Sequence, residues 1–117
     1  MANALVVRSQ SASPIYTVTP AASVTLDFNN GSIQTITLGH DTAFQAPSNL
    51  ENGATYLLKV VQDATGTRVP TWNAVFFWEG GIAPTLTTDA NAIDILTFIS
   101  DGTNLYGLKA LDFKASS

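Results

Sequence analysis

The strongest constraint on the fold is the spacing of the apolar residues, which recur at every second position and are interrupted about every eight to twelve residues by Gly, Pro, Asn or Asp. Successive side chains of a strand point to opposite faces, so this period describes half-buried β-structure. No stretch carries the 3.6-residue repeat of an amphipathic helix. Val24, Leu26 and Phe28 alternate with Thr25 and Asp27, and Ile33 to Leu38 alternates again with Thr. Asn29-Asn30-Gly31 between them tolerates positive φ, which predicts a β-hairpin. Thr42 to Gln45 reads as a further short strand, and Pro47 to Gly53 as a loop that Asn52-Gly53 closes. Tyr56 to Val61 is nearly continuously apolar, the pattern of a strand covered on both faces. Beyond a turn at Asp63-Ala64-Thr65-Gly66, strands are predicted at Val75 to Trp78 and Ile93 to Ile99. A second turn, Asp101-Gly102-Thr103-Asn104, leads into Leu105 to Leu111.

Seven to eight strands without a helix bury their apolar faces most simply as a single antiparallel β-sandwich, jelly-roll-like or Greek-key in order. The sandwich is expected over residues 23–113. Residues 1–22, with the small polar run Ser9 to Pro14 and the break at Pro20-Ala21-Ala22, are expected to be an N-terminal arm or a first strand. Residues 114–117 read as a frayed C-terminal tail. No repeat of about 20 to 50 residues is visible, which argues against a solenoid or propeller.

A chain of 117 residues holds one core. Only 12% of it is charged, about half the usual share. Beside 45% apolar residues, that leaves a neutral surface suited to lying against other subunits. A net charge of −4 with five basic residues offers nothing to neutralise a phosphate backbone, so nucleic acid is not an expected partner. Without cysteine there is neither a disulfide frame nor a thiolate zinc site. The apolar start is interrupted at Arg8, too early for a secretory signal, and no run reaches the roughly 18 residues that span a bilayer. Synthesis in the cytoplasm and no membrane association are therefore expected. Asn30-Gly31-Ser32 matches a glycosylation sequon and reads as a turn.

Chemistry is sparse. The single histidine, His40, has Asp41 beside it, but no Gly-x-Ser-x-Gly supplies a nucleophile. Asp63, Glu79, Asp89, Asp94 and Asp101 could furnish a carboxylate pair or a calcium site. Most stand beside Gly, Thr or Asn, where turn chemistry explains them, and no Asp-x-Asp-x-Asp loop occurs. No catalytic residue, cofactor or metal is expected, and the chain reads as a non-enzyme. Trp72, Phe76, Phe77, Trp78 and Tyr106 form either a platform for sugar rings or a shared core and subunit interface. Alternation sends Phe76 and Trp78 to one face and Phe77 to the other, which favours core plus interface.

One succession goes further: Gln62-Asp63-Ala64-Thr65-Gly66-Thr67-Arg68, then Pro70-Thr71-Trp72, then Phe77-Trp78-Glu79-Gly80-Gly81-Ile82-Ala83-Pro84, then the strand Ile93 to Ile99 and Asp101 to Gly107. From Phe44 to Leu108 the chain resembles a small β-sandwich module of virion structural proteins of tailed bacteriophages, of the capsid-decoration or tail-fibre type. The resemblance implies a structural module that commonly assembles as trimers and builds fibres, baseplate parts or capsid-surface proteins. It also implies that Asp63, Gly66 and Arg68 hold the first turn, Trp72 and Trp78 the core, Gly80-Gly81 and Pro84 the following loop, and Asp101-Gly102 the last hairpin. None of these is a catalytic role.

Fibre proteins of this type carry triple-stranded shafts, collagen-like repeats or heptads, and this sequence has none. A complete product of this size is expected to be a capsid decoration or cement protein on the outer surface of the virion head, a homotrimer with the major capsid protein as partner. Binding only the assembled lattice would stabilise it by RT ln(1 + [L]/Kd). The alternative is a tail-fibre or baseplate component that meets a receptor or glycan through the Trp-rich loops.

Overall fold

The computed structural model describes residues 13–116. Strands are the main regular structure, and among the described residues helix is confined to two single 3-10 turns at Phe28–Asn30 and Glu79–Gly81. Among the described residues the strands are β1 (Tyr16–Thr17), β2 (Ser23–Val24), β3 (Ile33–Leu38), β4 (Thr42–Phe44), β5 (Asn52–Gln62), β6 (Pro70–Trp72), β7 (Phe76–Trp78), β8 (Ile93–Asp101) and β9 (Leu105–Ala110). They form a six-stranded sheet ordered β1-β3-β5-β8-β9-β7 and a three-stranded sheet ordered β2-β4-β6. Both sheets feed one core: Ile36, Leu38, Leu58, Leu96, Phe98 and Leu105 from the large sheet meet Val24 and Phe44 from the small one, with Leu26 and Phe28 between.

The all-β expectation holds, and the antiparallel order does not. β1, β3 and β5 are mutually parallel, with Tyr16 beside Gln34 and Gln34 beside Leu58. β2, β4 and β6 are parallel too, with Ser23, Ala43 and Thr71 in one ladder. The chain thus crosses from one sheet to the other and back through three turns, as in a short parallel β-solenoid. Only β5, β8 and β9 pair antiparallel, β8 and β9 through the Asp101–Asn104 turn. β7 then lies parallel along the free edge of β9. The pairing replaces the expected jelly-roll or Greek-key order, and among the described residues nine strands, from two to eleven residues long, stand where seven to eight were expected.

The hairpin expected around Asn29-Asn30-Gly31 is absent for a local reason. Asp27 Oδ1 accepts from the Asn29 amide at 2.9 Å and from Asn49 Nδ2 at 2.7 Å, capping the 3-10 turn. An Asp side chain that bonds its own downstream backbone competes with ladder pairing. Buried Gln34 holds the same turn, donating through Nε2 to Asp27 O (2.8 Å) and Gly31 O (2.9 Å). Val24, Leu26 and Phe28 do alternate into the core, but their extended segment runs beside residues 44–48, as the bonds Gln45 N to Val24 O and Ser48 N to Leu26 O show.

β5 is the centre of the large sheet, and one of its faces is buried rather than two. Tyr56, Leu58, Val60 and Gln62 are buried, whereas Leu57, Lys59 and Val61 on the opposite face are half-buried. Phe28 stacks on Tyr56 at 3.9 Å between ring centroids, tying the first 3-10 turn to this strand. Of the leading segment, residues 1–12 lie outside the described residues. β1 forms the edge of the large sheet, and Val18 enters the core. At the other end, Phe113 N bonds Ile93 O, and residues 114–116 are exposed.

Candidate functional site

The aromatic residues fall into two groups according to strand alternation. On β7, Phe76 and Trp78 turn inward and Phe77 turns out, 45% exposed. Trp72 on β6 sits at the hub of the inner group. Its ring stacks on Phe44 at 4.5 Å and meets Phe76 edge-on at 5.0 Å and Trp78 at 5.2 Å. Phe98 on β8 closes the cluster against Phe76 and Trp78 at 5.5 and 5.7 Å. Offset and edge-on pairs of this kind add about 0.5–1.5 kcal/mol each to their area burial. The cluster therefore anchors the edge strand β7, which is only three residues long.

Trp78 also forms the wall of a surface cleft of about 470 Å³, bounded by Glu79, the loop Ile82–Thr85, Gly107 and Lys109. Gly107 is what lets the indole lie there. A Cβ at that position would run into Cζ3 and Cε3 of Trp78 and lie 3.0 Å from Phe98 Cε1. Gly80 (φ 65°) and Gly81 (φ 75°) carry the chain out of β7 into the loop, in a conformation that side chains disfavour. The far end of the loop is pinned by buried Leu86 and by Thr87 N, which donates to the buried carboxylate of Asp94 at 2.6 Å. Asp94 also accepts from Asp112 N at 2.8 Å, so one carboxylate fastens two segments to the start of β8. The cleft is held by rigid neighbours, with an aromatic wall and an acid and a base on its sides.

On the outer side of the same edge, Phe77 and Tyr106 meet edge-on at 5.3 Å. A second depression of about 310 Å³ lies there and shares Trp78, Glu79, Gly107 and Leu108 with the first. The Tyr106 hydroxyl donates to Asp101 Oδ2 at 2.9 Å. Asp101 also accepts the amides of Asn104 (2.6 Å) and Thr103 (2.9 Å). Those amides, with the Tyr106 hydroxyl, hold its carboxyl below the usual carboxylate range, while the hydrogen bond to Asp101 holds the Tyr106 hydroxyl above the usual phenol value.

Asp63 and Arg68 lie elsewhere, in the turn after β5. Asp63 Oδ1 accepts from Thr65 N and Gly66 N at 3.0 Å each, and Arg68 Nη2 reaches Oδ2 at 3.1 Å. Buried Gln62 bonds both the carbonyl (2.8 Å) and the amide (3.0 Å) of Arg68. The Arg68 hydrogen bond is the main reason the Asp63 carboxyl sits below its ordinary value. This is a structural clasp that closes the turn after β5.

His40 is exposed, and among the described residues no three His, Asp or Glu side chains gather as metal ligands. Glu79, Lys109, Pro84 and Thr85 were not singled out from the sequence as site residues together. Period two in β9 carries the signal for Lys109, since it places Gly107 and Lys109 on the side opposite Tyr106 and Leu108.

No helix among the described residues is long and apolar enough to cross a membrane. No curated protein and no solved structure matches the chain. A family model described as "Putative phage tail fibre C-terminal domain" matches residues 12–105, well over half of the sequence, and includes both the clasp at Asp63 and the edge at Trp78. The chain belongs to this family and is a structural module of a phage virion.

Proposed function

We propose that the domain is a receptor-contacting part of a tail fibre and that the cleft beside Trp78 takes a glycan of the host surface. The cleft itself carries this reading. Saccharides are bound by an aromatic surface against which the ring C–H groups pack, with a few polar side chains around it to meet the hydroxyls. Trp78 supplies the first, and Glu79, Thr85 and Lys109 the second. Strands β7 and β9 provide the rigid frame that such a contact requires. Several weak contacts per particle would sum through avidity. The family match supports the tail over the capsid surface, and with it a cell-surface partner over the major capsid protein.

The test is adsorption. Purified domain, incubated with host cells before the phage is added, should slow attachment. A Glu79→Gln/Lys109→Ala double variant, altered only at exposed side chains of the cleft, should lose that competition while keeping its fold. Equal competition by the variant would remove the cleft from the mechanism. Copy number separates the two virion sites: at most roughly a few tens of chains per particle are expected for a fibre, whereas a number close to that of the coat protein would return the chain to the capsid.

A further inference from the structure

Two opposite charges line the cleft beside Trp78 without meeting each other. The ion pairs among the described residues are Arg68 with Asp63 and Lys114 with Asp112. Glu79 and Lys109, both exposed and both lining the cleft, are therefore not spent on one another. A carboxylate only accepts hydrogen bonds and an ammonium only donates them. Much of the remaining lining is apolar: the Trp78 indole in the wall, and in the bounding loop Pro84 and Ile82, the latter 77% exposed.

We propose that the sugar recognised here is an N-acetylated amino sugar, held by its acetamido group. This rests on the reading of the cleft as a glycan site. A secondary amide carries one N–H and one C=O that point in opposite directions. The N–H donates to the Glu79 carboxylate, and the C=O accepts from the Lys109 ammonium. The methyl group at the end of the amide packs on Trp78 and Ile82, away from water. The other common sugar substituents fit less well. A uronic carboxylate pairs with Lys109 but meets Glu79 as a like charge, and the net charge of −4 repels it from a distance. A free amino sugar pairs with Glu79 but brings its ammonium toward Lys109. A hexose hydroxyl serves both charges and leaves the apolar side of the cleft against water. The acetamide meets the carboxylate, the ammonium and the apolar surface together.

The experiment is a nuclear magnetic resonance titration of the full chain with methyl glycosides of the gluco and galacto series. Each series bears a hydroxyl, an ammonium or an acetamide at the second ring carbon. The amide signals of Gly107 and Lys109 and the indole N–H of Trp78 report occupancy of the cleft. The acetamides are expected to bind at least about tenfold more tightly than the other two, the discrimination that a methyl group in an apolar site supplies. Saturation transferred from the protein should be strongest at the N-acetyl methyl. Ile82→Ala, a change at an exposed side chain, should reduce that preference and leave hexose affinity unchanged. Hexoses or free amines that bind the cleft as tightly as the acetamides overturn the proposal while the glycan reading stands. An acetamide preference that Ile82→Ala leaves intact overturns it too. No shift at Trp78 or Gly107 with any glycoside overturns both.

Discussion

At the scale of single residues, three aspartates do the same work. Asp27, Asp63 and Asp101 each accept one or two amides of the turn that follows, and each is held below the ordinary carboxylate range: Asp27 chiefly by Asn49 and Asp63 chiefly by Arg68, with the turn amides adding to both, and Asp101 by the amides of Asn104 and Thr103 with Tyr106 beside them. A carboxyl with a lowered folded value contributes stability that is complete above the unfolded value, about 3.9, and is lost as pH falls through the folded one. The melting temperature should therefore be flat from neutral pH to about pH 5 and fall below about pH 4. Asp63→Asn should melt lower at neutral pH and show a shallower acid decline, because one of the three linked protons is gone; thermal melts between pH 2 and 7 check this. These turns were legible from sequence: Asp followed by Gly, Asn or Thr has a mechanism for turning the chain. What could not be read was which turn each would make, since Asp27 caps a 3-10 turn where a hairpin was expected.

Among the elements, strand positions were far more legible than strand partners. Period two locates an extended segment and its buried face from local sequence alone, as at Val24, Leu26 and Phe28. The partner of a strand is decided by hydrogen bonds to residues far away, which leave no local trace; β3 pairs with β5 and β1, not with the segment before it. The repeat of the winding was hidden as well, because its ladders stack Tyr16 on Gln34 on Leu58, and Ser23 on Ala43 on Thr71, at unequal spacings. Of the aromatics singled out by type, Trp72 and Phe76 pack inward, Phe77 and Tyr106 lie on the outer side, and Trp78 alone lines the cleft, which also needs Gly107, whose role shows only when Trp78 lies over it. Gly107→Ala should cost about 1–3 kcal/mol by overpacking. Trp78 would be displaced, so chemical denaturation and the indole fluorescence of the folded state should change together.

For the whole molecule, the parallel ladders mean that much of the sheet forms only after distant segments have met. Each non-local pair must first close its loop, which slows folding. Refolding followed by the fluorescence of Trp72 and Trp78 should fall in the millisecond-to-second range, in one phase with the far-ultraviolet signal, because both sheets share one core. Microsecond refolding, or separate phases for the two signals, would mean that the two sheets form independently.

The unequal turns of the winding have a consequence for how such a domain can change over generations. In an ordinary repeat architecture a fixed coil length ties every turn to its neighbours. Here, successive turns already differ in length while the strands stay in step. An insertion at a corner can be taken up where it occurs, without sliding any ladder, since lengthening a surface loop costs little. The scaffold can therefore acquire new loops, and with them new partners, while the shared core is inherited unaltered.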